Sequence, residues 1–282
     1  MSTLNKSFHA NLPADRRRRL PVGAEVFDAG AHFRVWAPDR RSVEIVFDSQ
    51  DSDAVALERE DGGYFSAFVK GAEAGQRYRF RLDNRREALF PDPASRYQPE
   101  GPFGPSQIVD PRAFAWADSE WRGVSLSGQV IYEMHVGTFT PEGAWRAAAE
   151  QLPELASAGV TLIQMMPVAD FPGRCGWGYD GVNFFAPTRL YGTPDDLQAF
   201  VNQAHAVGLG VILDVVYNHI GLAGNFLGEF SPHYASRRHP NDWGQAINFD
   251  GPHCEAVREF FIANACYWIE EFHFDGLRFD AA

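Results

Sequence analysis

From Gln129 onward, short apolar runs alternate with longer stretches of helical spacing, and that alternation leaves few folds open. "QVIYEMHV" (129–136), "VTLIQMMPV" (160–168), "LGVILDVVY" (209–217) and "FDGLRFDA" (274–281) read as strands. The segments between them, 145–159, 193–208 and 255–272, carry apolar residues at helical spacing. In the second of these Thr193 is placed as N-cap, Pro194 at the first helical position and Gly208 as the stop. Strand–helix–strand units of this kind are right-handed and build a parallel sheet. The near-continuous apolar character of the strands fits burial on both faces.

Two parallel architectures compete. A doubly wound nucleotide-binding sheet wants a glycine-rich phosphate loop after its first strand, but "TFTPEG" follows "IYEMHVG", so a dinucleotide-dependent oxidoreductase is disfavoured. A TIM barrel keeps its chemistry at the C-terminal ends of its strands. Polar residues cluster there: Glu133 and His135, then Asn218 and His219, then Arg278 and Asp280. The placement selects the barrel, with four of its eight strands present.

The preceding region has a different texture. "AHFRVWAP", "SVEIVF", "YFSAFV" and "RYRFRL" alternate polar and apolar residues and are separated by turn signals, as in a β-sandwich of roughly 90 residues. The expected organisation is a flexible tail over 1–20, an immunoglobulin-like sandwich over 21–110 and a partial (β/α)8 barrel over 111–282. The Pro/Gly-rich stretch Leu89–Pro111 reads as the connection between the two domains.

Composition narrows the function. A formal net charge of −12 disfavours nucleic acid or an anionic membrane as partner, and "RRRRL" (16–20) reads as a solvated tail. There is no apolar run long enough to span a bilayer and no signal-like stretch follows the basic run, so the expected location is cytoplasmic. Three cysteines without paired spacing read as reduced thiols, with neither a disulfide framework nor a zinc site.

The charged residues of the last two strands need a reason. Side chains alternate along a strand, so Gly276, Arg278 and Asp280 share a face. A cation one pleat below keeps Asp280 ionised and nucleophilic; the alternative is a buried structural ion pair. Asp214 sits in an apolar run and requires a partner, while Asn218 and His219 fall just past the strand end, as a rim for a polyhydroxylated ligand. A metal site is not supported by one aspartate and one histidine. The loop after the second strand concentrates aromatics. Phe184 and Phe185 read as packing, and Tyr179, between glycines, reads as facing ligand.

"DVVYNH", "DGLRFDAA" and "GWGYDG" resemble the signature regions and the sugar-stacking loop of the α-amylase superfamily of glycoside hydrolases. Longer stretches, among them "IYEMHVGTFTPEGAW" and "PDPASRYQPEGP", resemble the branch that acts on trehalose-ended glucans. The resemblance implies a retaining hydrolase that cleaves the α-1,4 bond next to the terminal trehalose of maltooligosyl-trehalose or a related α-glucan, with no cofactor. It makes Asp280 the nucleophile, Arg278 the residue that orients and ionises it, and Asp214 and Asn218 supports. Tyr179, His219, Trp177, Phe279, Ala281 and Ala282 are the implied substrate contacts.

The family's acid/base glutamate belongs to a strand after this one, and residues 1–282 are therefore expected to be inactive alone. Glu133 is expected to be structural, and Glu229, in a loop, could approach the mouth. Branching or debranching activity is the alternative within the enzymes. A non-catalytic carbohydrate-binding protein is the alternative outside them.

Overall fold

A computed structural model describes residues 18–48, 54–85 and 87–281. The first part is a sandwich of two antiparallel sheets. One orders Gly23–Phe27, Gly30–Trp36, Tyr64–Lys70 and Glu58–Arg59; the other orders Val55–Ala56, Val43–Phe47, Arg77–Leu82 and Leu89–Phe90, with Ser106–Gln107 also on the Arg77–Leu82 strand. The inner faces meet through Phe33, which packs edge-on against Tyr78 at 4.9 Å and Phe47 at 6.0 Å. "RYRFRL" alternates as expected, with Tyr78, Phe80 and Leu82 inside.

The strand Gly30–Trp36 departs from simple alternation and is buried along its whole length. Its polar face is covered by the segment preceding the first strand and by the second domain. Arg18 donates to the carbonyls of Leu20, His32 and Gly23 and to His32 Nδ1. Burial first, and then the Arg18 and Arg34 cations, hold His32 down at about 3, so it is a neutral acceptor. Arg18 to Leu20 are therefore part of the fold and not of a solvated tail, because the sandwich offers Arg18 three carbonyls and a ring nitrogen. Residues 1–17 of the expected tail lie outside the described residues.

The stretch 89–111 is likewise no loose connection. Asp92 accepts from Tyr78 at 2.7 Å and from the Ala94 amide at 2.8 Å, and Ser106 Oγ accepts from the Asp92 amide at 2.9 Å. Prolines there remove donors that a strand would need, and buried side chains satisfy the remaining backbone.

The second part carries four parallel strands, Ile131–Met134, Leu162–Met165, Gly210–Val215 and Gly276–Phe279, paired in chain order. Thr193 caps the helix Pro194–Ala206 in a reciprocal capping box with Asp196. The segment 145–159 forms two short helices, Trp145–Glu150 and Leu152–Ser157, because Pro153 cannot continue the first. Two antiparallel pairs lie outside the sequence expectation: Ala169–Asp170 with Asn183–Pro187, and His219–Ile220 with Gln245–Ala246. No described helix is long and apolar enough to cross a membrane.

The domains meet along the polar face of the sandwich. Trp36 packs edge-on to Tyr234 at 5.2 Å, and Tyr64 donates to Glu259 at 2.6 Å. Glu271, on the helix Cys254–Phe272, receives Arg19 and Arg96, each at 2.8 Å. Breaking one partner of such a buried cluster leaves an uncompensated charge, which makes the contact specific.

At the N-terminal ends of the strands a second charged cluster ties three segments together. His205 places Nδ1 2.9 Å from Asp118 and Nε2 3.2 Å from Asp275, and His273 reaches the same Asp118 oxygen at 2.8 Å. Trp121 stacks on His205 at 4.7 Å and donates to Asp275, and Trp116 stacks on His273 at 3.7 Å. Both ring nitrogens of His205 face carboxylates, so both donate and the ring is an imidazolium. Burial alone would lower the His205 pKa, but the bonds to Asp275 and Asp118 outweigh it and raise it above 6.5. A raised histidine stabilises the fold below its unfolded pKa and loses that contribution as pH climbs through the folded one. Thermal melting should therefore fall between pH 6 and pH 9 in the wild type, and His205→Gln should flatten that slope. A variant as pH-sensitive as the wild type would refute the assignment.

Candidate active site

The site is set by register. Asp214 on the third barrel strand pairs across the ladder with Arg278 on the fourth, on the face that looks into the barrel. One layer below, Glu133, Gln164, Ile212 and Gly276 align across the four strands. Gly276 packs beside Ile212, whose Cγ2 would lie 3.4 Å from an added Cβ, at van der Waals contact.

Arg278 is the centre of the cluster. Its Nη1 donates to Asp214 Oδ2 and to Asp280 Oδ1, both at 2.8 Å. The Asp214 side chain has no exposure, and its Oδ2 also accepts from the Tyr179 hydroxyl at 3.0 Å. Burial pushes the Asp214 carboxyl up, against the pull of Arg278 and Tyr179. The Tyr179 hydroxyl is pushed up to about 12, first by burial and then by Asp214. Asp280 keeps 23% of its side chain exposed, so it is reachable as well as paired. Asn218 donates to the Asp280 carbonyl at 2.9 Å and to its Oδ2 at 3.1 Å. His219 Nδ1 engages Asn218 Oδ1, an oxygen that only accepts, so Nδ1 donates.

The structure thus brings Asp280, Arg278, Asp214, Asn218 and Tyr179 into one network. His219 joins it only through Asn218. It is buried, because its strand pairs with Gln245–Ala246, so it does not form the open rim expected of it. Phe279 points the other way: alternation turns it from Asp280 toward Tyr217, with ring centroids 5.7 Å apart. It does not share the face of the cluster. Ala281 is exposed just after Asp280 at φ 45°, and Ala282 lies outside the described residues. Trp177 stands 72% exposed on the loop after the second strand, whereas Phe184 and Phe185 are buried as packing residues.

Of the two upstream acids, Glu133 is bound by Gln164 at 3.0 Å, in a layer below the cluster. Glu229 does not approach the mouth. Its carboxylate meets Arg85 at 3.3 Å and Arg40 at 4.0 Å on the sandwich side, because the short helix Leu227–Phe230 packs Phe230 under Phe80 and Phe90. His135 stands out in the sequence by its position at a strand end, but nothing there gives it a role. In the structure its ring fastens the aromatic loop through the Gly176 carbonyl at 2.9 Å.

Chemically, the cluster is a carboxylate held at the C-terminal end of a barrel strand by a shared guanidinium. A carboxylate so placed is suited to attack an electrophilic carbon.

Comparison with known proteins gives two families. Residues 107–245 match "Alpha amylase, catalytic domain", and residues 21–98 match "Carbohydrate-binding module 48 (Isoamylase N-terminal domain)". The chain is 44% identical over 267 residues to a malto-oligosyltrehalose trehalohydrolase of Deinococcus radiodurans, a match over 95% of this chain and 43% of that protein. It is 43% identical to the trehalohydrolase of Saccharolobus solfataricus, over 93% of this chain and 46% of that one. The branching enzyme of Aliivibrio fischeri is 33% identical, over 97% of this chain and 43% of the enzyme. A Salmonella typhimurium crystal structure superimposes with a TM-score of 0.87 at 42% identity, covering 93% of this chain and 44% of that one. A pullulanase of Paenibacillus barengoltzii shares the fold, with a TM-score of 0.78 at 23% identity, over 92% of this chain and 48% of the other. The chain spans less than half the length of the curated relatives it matches.

Removing Arg278 leaves the buried Asp214 short of a cation. Arg278→Gln should cost about 1–3 kcal/mol of unfolding free energy in urea, the penalty of stranding a buried charged acceptor. Adding Asp214→Asn should recover part of that loss, and purely additive effects would show that the pair does not couple.

Proposed function

The chain belongs to the α-amylase family, and on that premise we propose that it supplies the nucleophile side of a retaining glycosidase that frees trehalose from maltooligosyl-trehalose. The observation that carries the reading is the carboxylate of Asp280 held at 2.8 Å by Arg278 at the mouth of the strand barrel. The substrate assignment rests on the trehalohydrolases at 43–44% identity, against 33% for the branching enzyme.

In this mechanism Asp280 attacks the anomeric carbon of the glucose next to trehalose. The C–O bond to trehalose breaks as the Asp280 ester forms, and water later releases the glucan with retained configuration. Arg278 holds and aims Asp280. Asn218 holds its second oxygen, and His219 fixes Asn218. Tyr179, fixed by its bond to Asp214, presents its ring to the sugar. Trp177 extends the apolar surface outward. A retaining site also needs an acid about 5–5.5 Å from the nucleophile to protonate the departing oxygen. Among the described residues, Glu133 and Glu229 do not occupy that position, for the reasons of layer and pairing given above.

Activated substrates separate the two roles, because fluoride leaves without a proton donor. Residues 1–282 should be labelled on Asp280 by a 5-fluoro-α-glucosyl fluoride, giving an ester-linked adduct detected by peptide mass spectrometry, and Asp280→Asn should abolish it. The same chain should release no trehalose from maltotriosyl-trehalose. Labelling elsewhere, or Asp280-dependent trehalose release by 1–282, would contradict the reading. The alternative of α-1,6 transfer is removed if the enzyme containing this chain yields trehalose and no new branches.

A further inference from the structure

The loop 171–181 is exposed at its tip, yet it is fixed at four points. Arg189 donates to the carbonyls of Phe171 at 3.2 Å and Gly173 at 3.0 Å. Tyr179 is tied to Asp214. Gly178, at φ 91°, lies so close to Pro167 that a Cβ would come within 2.0 Å of its carbonyl oxygen. The fourth point is His135, whose Nε2 lies 2.9 Å from the Gly176 carbonyl and 3.0 Å from the Tyr191 hydroxyl, with Nδ1 2.9 Å from Thr138 Oγ1. A carbonyl only accepts, so Nε2 carries the proton. Gly137 is needed beside it, since a Cβ there would meet Tyr191 at 2.9 Å and His135 at 3.1 Å. The bond lands on the residue next to Trp177, whose side chain touches little of the protein.

We propose that His135 is a positioning residue for glucan binding: its Nε2–H holds Gly176 so that Trp177 is presented as a pre-ordered stacking platform beside Tyr179. This rests on the carbohydrate reading for the ligand, but the clamp itself does not. A platform ordered before binding avoids the entropy cost of ordering one on contact.

The test uses two variants of residues 1–282, His135→Gln and His135→Asn. The glutamine side chain is long enough to place an amide N–H where Nε2 stands, whereas the shorter asparagine reaches only the Nδ1 position. Arg174, exposed in the loop, reports loop opening as a tryptic site. Cleavage after Arg174 should speed up about fivefold or more in His135→Asn and stay within about twofold of wild type in His135→Gln, with the melting temperature of both unchanged. Maltoheptaose affinity, by calorimetry, should fall about two- to tenfold in His135→Asn, the cost of ordering one side chain. In a Trp177→Ala background the same change should cost nothing further. Equal cleavage of both variants, fast or slow, would overturn the hydrogen-bond clamp. An undiminished binding loss in the Trp177→Ala background would overturn action through Trp177. If the wild type binds no maltoheptaose while the cleavage pattern holds, the clamp stands and the carbohydrate reading falls.

Discussion

A carboxylate with no solvent exposure, set in the middle of an apolar strand, governs the arrangement around it. Asp214 must be paired, and the protein pairs it from two directions: Arg278 across the ladder and Tyr179 from the loop above. The Arg278 bond fixes the register of the third and fourth barrel strands, because a slip of one residue would turn the guanidinium out of the barrel and leave Asp214 without its cation. The same guanidinium then has a second donor direction free, and Asp280 occupies it. The Asp280 carboxylate is thus placed by a structural requirement two residues earlier on its own strand.

The sandwich contributes to that placement from a distance. Its polar face is the surface against which the second part is built. Glu271, held by Arg19 and Arg96, stands at the end of the helix that leads into the fourth strand. A buried ion cluster adds little net stability, but it tolerates few alternative dockings. The sandwich therefore acts as a brace for the parallel-stranded half.

Local signals carry most of the architecture. Apolar runs and the Thr193 capping box place the parallel strands and the longest helices, and pleat alternation puts Arg278 beside Asp280 without any tertiary information. What fails is long-range. The alternation of Gly30–Trp36 does not reveal whether water or a second domain lies against its polar face. Arg18 reads as tail because its partners are carbonyls, which leave no mark in a sequence. Glu229 reads as able to approach the mouth because the packing of Phe230 that turns it away involves residues about 140 to 150 positions earlier. Phe279 is grouped with its neighbours by resemblance, although alternation alone already sets it on the opposite face.

The fourth strand is fixed at both ends. At its base Asp275 is bound by His205, Trp121 and the Val211 amide; at its top Asp280 is bound by Arg278 and Asn218. Five residue steps along the strand separate the two aspartates, roughly 17 Å at the usual rise. A strand anchored at one end only could shift along its axis by fractions of an ångström as its ladder bonds flexed. With charge-assisted bonds at both ends, any shift must stretch one cluster or compress the other. The Asp280 carboxylate is thereby held in place along the strand axis. The double anchorage therefore explains why so much of the charge in this part of the chain is spent on a four-residue strand.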